Sequence, residues 1–463
     1  MSSGNRQRTN SQSRLQSSRR RAFIKSVGVG GVAALAGCAG SNNESEGESD
    51  GGSGTETAGA TTGGSDSVTL ELIWFNGQAT EENLSAYDDA IAAFEESTGH
   101  TVDVTKTGQV GQIVNQVQTG VQAGDPVSIA AIPAGACQTL ANKEIIEPLD
   151  SYIDDADTFS RSDIIRGKLD ISTRDDTTYA VPIMSGHWGS LFYNANMLEQ
   201  AGYDPMNPDF ETWPEFISVA EDVKEAVGVQ PVGFSGADHI HTTVQWSGFF
   251  HTTGRKSWLN EDQTDTFLDK EAGISCAEFT QSAVEKDLLP SGTANMNANG
   301  LRELFISEEL FAYQVGGFEN AILKEQSDID FGITWNPRAP DGENSGFSGG
   351  IFYTLPRGSE NQDEAFALIE HLMQLKWLNQ YAQLPPVRPD GLQSFFEGTT
   401  DGIGRDVSNI FIEEVSNSGF PTIHVNQSRM WEAQRREIQE IILGQKTAEE
   451  AMTSLADRVR ELL

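Results

Sequence analysis

Basic side chains are scarce in this sequence. Its 463 residues include 31 Lys and Arg against 68 Asp and Glu, and the formal net charge is -37. All seven Lys and Arg up to Gly37 lie in a stretch without acids, so subtracting these seven from 31 leaves 24 basic residues to face all 68 acids. A surface this acidic repels nucleic acid and anionic headgroups, which argues against a nucleic-acid-binding function. It is typical of proteins from extreme halophiles, because multimolar salt screens the repulsion among the acids.

Long apolar runs and the common enzyme motifs are also missing. The run at 26–37 has 12 residues, whereas a membrane-spanning helix needs about 20, and no other segment is longer and comparably apolar. There is no Walker loop and no H-E-x-x-H motif, and Gly402-Ile-Gly404 lacks the third glycine of a dinucleotide fingerprint. We therefore predict no catalytic residue and no cofactor.

The start of the chain resembles an export signal followed by a lipid-attachment site. Arg20 and Arg21, with Phe23-Ile24-Lys25 after them, resemble the twin-arginine signal. The short apolar run then ends at Leu35-Ala36-Gly37-Cys38, which resembles a lipoprotein lipobox. We predict a twin-arginine lipoprotein signal peptide at 1–37 and a lipid on Cys38 that anchors the protein at the extracellular face of the membrane.

The segment that follows the predicted anchor has the composition of a linker. Residues 39–67 are mostly Gly, Ser, Thr, Asn, Glu and Asp, with almost no large apolar side chain. Such a segment cannot bury apolar surface and is extended by its own charge. We predict that 38–67, the lipidated cysteine included, forms a disordered acidic linker.

Alternating strand and helix patterns begin at Val68. Residues 68–75 have a strand pattern, 81–97 form an amphipathic helix, and 101–105 return to strand alternation. This order predicts an α/β sheet. Capping boxes at Thr212 and Thr447 mark the starts of two later helices.

The order of the segments resembles the carbohydrate-binding, maltodextrin-type family of extracellular solute-binding proteins of ABC importers. The similar segments are 94–104, 122–149, 179–194, 212–216, 431–444 and 447–451. The resemblance implies an α/β, two-lobe periplasmic-binding-protein-like fold with a hinge and an interlobe cleft. It places lobe one at 68–183 with 346–374, and lobe two at 184–345 with 375–463.

The resemblance also implies a function. The protein would be a monomer that captures a small solute, a sugar by this likeness, and delivers it to the permease of an ABC transporter. Cys137 and Cys276 would fall in different lobes, where a disulfide would restrain the hinge, so we predict that both are free thiols.

Candidate ligand-binding residues follow from the chemistry of a neutral sugar, which needs flat rings for its C–H faces and polar groups for its hydroxyls. Phe318 stands where the family has Trp. At the positions of Gln78 and His187 the family has acidic side chains that bind the sugar, and this sequence has none there. For Trp74 and Trp431 the alternative is a position in the core. The candidates are Trp74, Asn76 and Gln78 after the first strand, His187 and Trp188 at the lobe crossover, Asp238 and Trp246 in a loop-rich stretch, Gly317 and Phe318, Gly349 and Gly350, Arg388, and Trp431.

The sequence is also compatible with functions besides sugar capture. Gly346-Phe-Ser-Gly-Gly350 fits the nucleophile elbow of serine hydrolases, with Ser348, Asp390 and His424 in hydrolase order, but 351–355 has a strand pattern where an elbow needs a helix. A polyol or glycerol phosphate could replace the sugar as ligand, and an adhesion module would bind no small molecule. The histidines between 239 and 251 have no further ligand at metal-site spacing, so we predict no metal.

Overall fold

The computed structural model describes residues 67–463, apart from Arg166 and Asp209. The predicted signal peptide, the lipid site at Cys38 and nearly all of the predicted linker lie outside the described residues. In the part that is described, no helix combines the length and the apolar composition needed to cross a membrane.

Strands and helices alternate over residues 69–142, as the sequence pattern predicted, whereas five strands follow one another at 173–194 and the last six elements, at 362–460, are helices. The strands are β1 (Thr69–Phe75), β2 (Thr101–Thr107), β3 (Ile129–Pro133), β4 (Thr173–Arg174), β5 (Thr177–Thr178), β6 (Val181–Met184), β7 (His187–Trp188), β8 (Ser190–Asn194), β9 (Val232–Gly233), β10 (Ala312–Val315), β11 (Phe331–Trp335), β12 (Phe347–Ser348) and β13 (Ile351–Thr354). The helices are α1 (Glu81–Thr98), α2 (Val110–Ala123), α3 (Cys137–Asn142), α4 (Asp150–Asp154), α5 (Lys168–Ser172), α6 (Ala195–Gln200), α7 (Trp213–Val227), α8 (His239–His251), α9 (Glu271–Glu285), α10 (Ala298–Ile306), α11 (Glu319–Gln326), α12 (Gln362–Met373), α13 (Leu375–Tyr381), α14 (Pro389–Phe396), α15 (Ser408–Asn417), α16 (Gln427–Ile442) and α17 (Ala448–Arg460).

The first lobe is built on a sheet with strand order β2-β1-β3-β13-β6. Strand β1 pairs in parallel with β2 and β3, whereas β13 pairs antiparallel with β3 and β6. Helix α1 begins at the capping box of Thr80 and ends at Gly99, which has a left-handed backbone. Two distant parts of the sequence therefore share one sheet.

The second lobe is built on a sheet with strand order β11-β8-β10-β9. Strand β8 pairs antiparallel with both β10 and β11. Helices α7 and α17 of this lobe begin at the capping boxes of Thr212 and Thr447, as predicted. The two sheets confirm the predicted α/β, two-lobe fold.

A two-stranded ladder connects the lobes. The first crossing segment runs from β6 to β8 and contains β7, and the second runs from β11 to β13 and contains β12. Strands β7 and β12 pair antiparallel, with Trp188 opposite Phe347 and His187 opposite Ser348. We call this pair the hinge ladder.

The third connection from lobe one to lobe two lies after residue 374, where the sequence had placed the boundary between the lobes. Helix α13 packs against α1, and the ring of Tyr381 lies 5.1 Å from that of Tyr87 and 6.4 Å from that of Trp74. Pro386 then forms a bridge with Met184 of β6. Helix α13 therefore belongs to lobe one, because its apolar face completes the core beneath α1.

The two described cysteines are free, as predicted. Cys137 and Cys276 are both buried and unpaired. Burial raises the pKa of both thiols, so neither is a reactive thiolate at neutral pH.

Candidate ligand-binding cleft

A cavity of about 640 Å³ lies between the two lobes. Lobe one contributes the end of β1, helix α2 and the turn from β3 to α3, and lobe two contributes α8, the start of α11 and helix α16. The hinge ladder forms part of its wall through Trp188 and Phe347. The lobes also touch across it, because Thr139 Oγ1 donates to the carbonyl of Val425 at 3.2 Å.

Aromatic rings dominate the lobe-two side of the cavity. The rings of Trp188 and Phe318 meet edge to face, 5.6 Å apart. Trp431 packs 5.8 Å from Phe420 and 6.3 Å from Phe347, and its indole N–H donates to Thr422 Oγ1 at 2.9 Å. These contacts hold the large rings in fixed orientations before any ligand arrives, and flat apolar rings are suited to the C–H faces of a sugar.

Two buried amide oxygens, one on each lobe, have no hydrogen-bond partners in the described structure. They are Oε1 of Gln78 on lobe one and Oε1 of Gln427 on lobe two, and both residues line the cavity. Backbone and side-chain contacts fix their positions: the N–H of Gln78 donates to Gln383 Oε1 at 2.7 Å, and Gln427 Nε2 donates to the carbonyl of Gly135. A buried acceptor left unpaired is unfavourable, and each of these oxygens has unused acceptor capacity.

The charge of the cavity wall is low. Among the described residues that line it there is no carboxylate, and Lys143 is the one charged side chain. The remaining polar lining consists of amides and hydroxyls such as Asn115, Gln118 and Ser428. A wall of this kind fits a neutral ligand better than a cation.

Six of the predicted site residues line the cavity: Gln78, Trp188, Phe318, Gly349, Gly350 and Trp431. They come from the loop after β1, strand β7, the turn between β12 and β13, the residue before α11, and helix α16. The structure thus brings together residues that are separated by more than three hundred positions in the sequence.

Two predicted tryptophans lie in the lobe cores instead. Trp74 is fully buried in β1 and stacks on Tyr87 with ring centroids 3.7 Å apart. Trp246 is buried in α8 and stacks on Phe250 at 5.5 Å. The prediction of a loop-rich stretch around Trp246 was wrong, because residues 239–251 form a helix.

His187 and Gly317 form one packing unit away from the cavity. The His187 ring is buried and lies 5.8 Å from the rings of both Phe396 and Phe411. Burial lowers its pKa to about 3, so the imidazole is neutral at physiological pH. A Cβ at Gly317 would come within 2.5 Å of His187 Nε2, so this glycine makes room for the histidine.

The other three predicted residues do not line the cavity either. Asp238 caps α8: its Oδ1 accepts the N–H of His241 at 2.8 Å, and its Oδ2 lies 2.8 Å from His241 Nδ1. Arg388 donates to the backbone carbonyls of Met373 and Thr158. The N–H of Asn76 donates to Thr107 at the end of β2.

Sequence reasoning missed Gln427 and the two phenylalanines Phe347 and Phe420. Gln427 could have been found, because it lies four residues before Trp431 and therefore on the same face of helix α16. Phe347 and Phe420 carry no such signal, since their positions depend on tertiary packing against each other and against Trp431.

The geometry around Ser348 does not form a nucleophile elbow. The chain continues into strand β13 rather than a helix, as its pattern predicted. Ser348 Oγ accepts a hydrogen bond from Lys168, and the N–H groups of Ser348 and Gly349 donate to the carbonyls of Gly419 and Gly186. These two N–H groups are therefore not available to stabilise an oxyanion. Over the described residues, no cluster of three or more His, Cys, Asp or Glu side chains could hold a metal.

Buried polar side chains of lobe two brace the hinge ladder. Glu414 of α15 accepts hydrogen bonds from the Gly189 N–H and, at 2.5 Å, from the Ser190 hydroxyl. His251 Nδ1 lies 2.8 Å from the carbonyl of Gly346. Burial raises the pKa of Glu414 to about 8, so the carboxyl is largely protonated at neutral pH.

Two lobes, a hinge ladder and a solute-sized cavity between them define a two-lobed binding protein. Residues 78–375 match the family model described as bacterial extracellular solute-binding protein, and the chain belongs to this family. The resemblance found in the sequence is thereby confirmed.

Individual relatives are distant. The chain is 23% identical over 295 residues to a putative binding protein of Brucella abortus, covering 62% of this chain and 69% of that protein. It is 25% identical over 221 residues to the lactose-binding protein of Rhizobium radiobacter, covering 47% and 50%. A solute-binding protein of an ABC transporter from Thermotoga lettingae, solved with α-D-tagatose, has a similar fold, with a TM-score of 0.69, 21% identity, and 86% and 100% of the two chains covered.

Proposed function

We propose that the protein captures a neutral sugar or oligosaccharide in the interlobe cleft and delivers it to the permease of an ABC transporter. The observation that carries this proposal is the pair of partnerless amide oxygens, one on Gln78 of lobe one and one on Gln427 of lobe two. A ligand with hydroxyls along its length would satisfy both oxygens at once. The aromatic rings of Trp188, Phe318 and Trp431 would cover its apolar faces.

This arrangement would let the protein capture a solute without any chemical reaction. A ligand that bonds to both lobes favours the closed form by its differential affinity for that form over the open one. The hinge ladder gives the lobes a short, defined pivot. Closure would then present a shape that the permease distinguishes from the empty protein.

The sequence is the basis for the proposed location of the protein. A twin-arginine signal, a lipid on Cys38 and the linker after it would hold a folded monomer at the outer face of the membrane, within reach of the permease. The excess of acids fits a high-salt medium. The relatives are binding proteins: one is named for lactose, a sugar, and another, from Agrobacterium fabrum, is named for sn-glycerol 3-phosphate.

Thermal unfolding of the full chain in high-salt buffer, measured against a panel of sugars, polyols, glycerol phosphate and amino acids, tests the proposal. A ligand at a hundred times its Kd stabilises the folded state by about 2.7 kcal/mol, which a melting curve resolves. We expect neutral saccharides to raise the melting temperature and amino acids to leave it unchanged. A shift with glycerol phosphate alone, or no shift in a cooperatively unfolding sample, would contradict the assignment to sugars.

A further inference from the structure

A second cavity, of about 670 Å³, lies on the other face of β12 from the cleft. Ser348 lines this second cavity, whereas its neighbours Phe347 and Gly349 line the cleft. Successive side chains of a strand point to opposite faces, so the two cavities are separated by the second crossing segment. Both lobes contribute to the second cavity, lobe one through α5 and lobe two through the end of α15.

A buried lysine forms part of the wall of the second cavity. Lys168 is 3% exposed, and its ammonium donates to Ser185 Oγ at 2.8 Å and to Ser348 Oγ. Within the described part of the chain, its side-chain hydrogen-bond partners are these two serines, and no carboxylate pairs with it. Burial lowers the pKa of its ammonium to about 7. A buried cation without a counter-charge is unfavourable, and an anion bound beside the ammonium would stabilise its charged form.

The cluster of Lys168, Ser185 and Ser348 has donors to spare. An ammonium has three N–H donors, and two of them are used by the serines. Each serine oxygen accepts from the lysine, and neither hydroxyl donates to another described atom, so each retains its own O–H donor. The cluster thus has three donor hydrogens for which the described structure shows no acceptor. Ser418 Oγ, buried in the same cavity wall, also has no partner in the described structure.

We propose that this cluster binds a small monovalent anion, a halide or a carboxylate, that enters through the second cavity. One ammonium balances one negative charge. The exposed carboxylates of Asp170, Glu261 and Glu343 at the rim disfavour a multiply charged ion such as phosphate. Lys256, the other lysine of the wall, is already paired with Glu343 at 2.9 Å.

The bound anion would connect three parts of the hinge. Lys168 belongs to α5 of lobe one, Ser185 follows β6 on the first crossing segment, and Ser348 belongs to β12 on the second. An anion bonded to all three would hold both crossing segments against lobe one. This site is independent of the cleft and of the identity of its solute.

Chloride NMR on the full chain tests the anion site in solution. Wild-type protein is expected to broaden the chloride resonance, and the Lys168→Met variant to weaken chloride binding by about tenfold or more, since a hydrogen-bonded charge is lost. Lys256→Met is the matched control, because it removes a lysine of the same cavity that is already paired. Equal broadening by wild type and Lys168→Met would overturn the proposal.

Two further arms keep the test decisive if Lys168→Met fails to fold. Ser348→Ala removes a single donor and should weaken chloride binding by about tenfold. A bromide-soaked crystal should show an anomalous peak within hydrogen-bond distance of Lys168 Nζ, and bromide on exposed lysines only would overturn the proposal. Competition separates the two sources of the anion: bromide displacing chloride more strongly than acetate indicates a halide site, and the reverse order indicates a carboxylate site.

Discussion

Replacing Trp431 with alanine is expected to weaken solute binding by about tenfold to a hundredfold, as truncation of a buried aromatic anchor commonly does. The indole ring lines the cleft and is held by Thr422, Phe347 and Phe420, so the platform is formed before ligand arrives. Alanine removes the ring and leaves the solute's apolar face against water. Isothermal titration calorimetry with the solute that raises the melting temperature measures the loss.

Two variants control this experiment. Trp377→Ala removes a partly buried tryptophan of α13 that contacts Lys376 and His371 and does not line the cleft, so affinity should change less than about twofold, the usual result away from an interface. Trp431→Phe keeps a smaller ring and should fall between wild type and alanine. An equal loss of affinity in Trp377→Ala and Trp431→Ala would show that Trp431 is not a ligand contact.

Gly350→Ala is expected to destabilise the protein by about 3 kcal/mol or more, because it combines backbone strain with a severe clash in a packed region. Gly350 has φ +143°, which side chains rarely adopt, and an added Cβ would lie 2.0 Å from the Met184 carbonyl oxygen. The Gly350 carbonyl also accepts the N–H of Ala134 at 2.9 Å, so the chain cannot shift freely. Urea unfolding followed by circular dichroism measures the difference.

Gly300→Ala is the matched control for this prediction. Gly300 lies in α10, and an added Cβ would meet no atom closer than 3.9 Å. Alanine is the better helix former, so the variant should be as stable as wild type or more stable by up to about 1 kcal/mol. If Gly350→Ala unfolded at the same urea concentration as Gly300→Ala, the close packing between the two crossing segments would be refuted.

Much of the fold could be predicted because its signals are local. The strand pattern of β1, the amphipathic α1 and the capping boxes at Thr212 and Thr447 each depend on a few neighbouring residues. The third connection between the lobes could not be located from local sequence signals. Helix α13 has a pattern compatible with either lobe, and only its packing against α1 assigns it to lobe one.

The site was less predictable because residue type does not reveal which surface a side chain faces. Trp74 and Trp431 are equally suited to stacking on a sugar, yet Trp74 packs on Tyr87 in the core and Trp431 lines the cleft. Strand β1 is buried on both faces near its end, so alternation does not separate an inner from an outer side there. Burial of Lys168 had no sequence signal, since the serines that contact it lie on two distant crossing segments.

A crystal structure of the full chain with the solute selected by thermal unfolding tests the central claim most directly. We predict that the solute lies between the lobes, in contact with the rings of Trp188 and Trp431, with a hydroxyl within about 3.2 Å of the amide oxygen of Gln78 or Gln427. Solute bound only at the outer surface, or only in the second cavity beside Lys168, would contradict the claim that the cleft is the binding site.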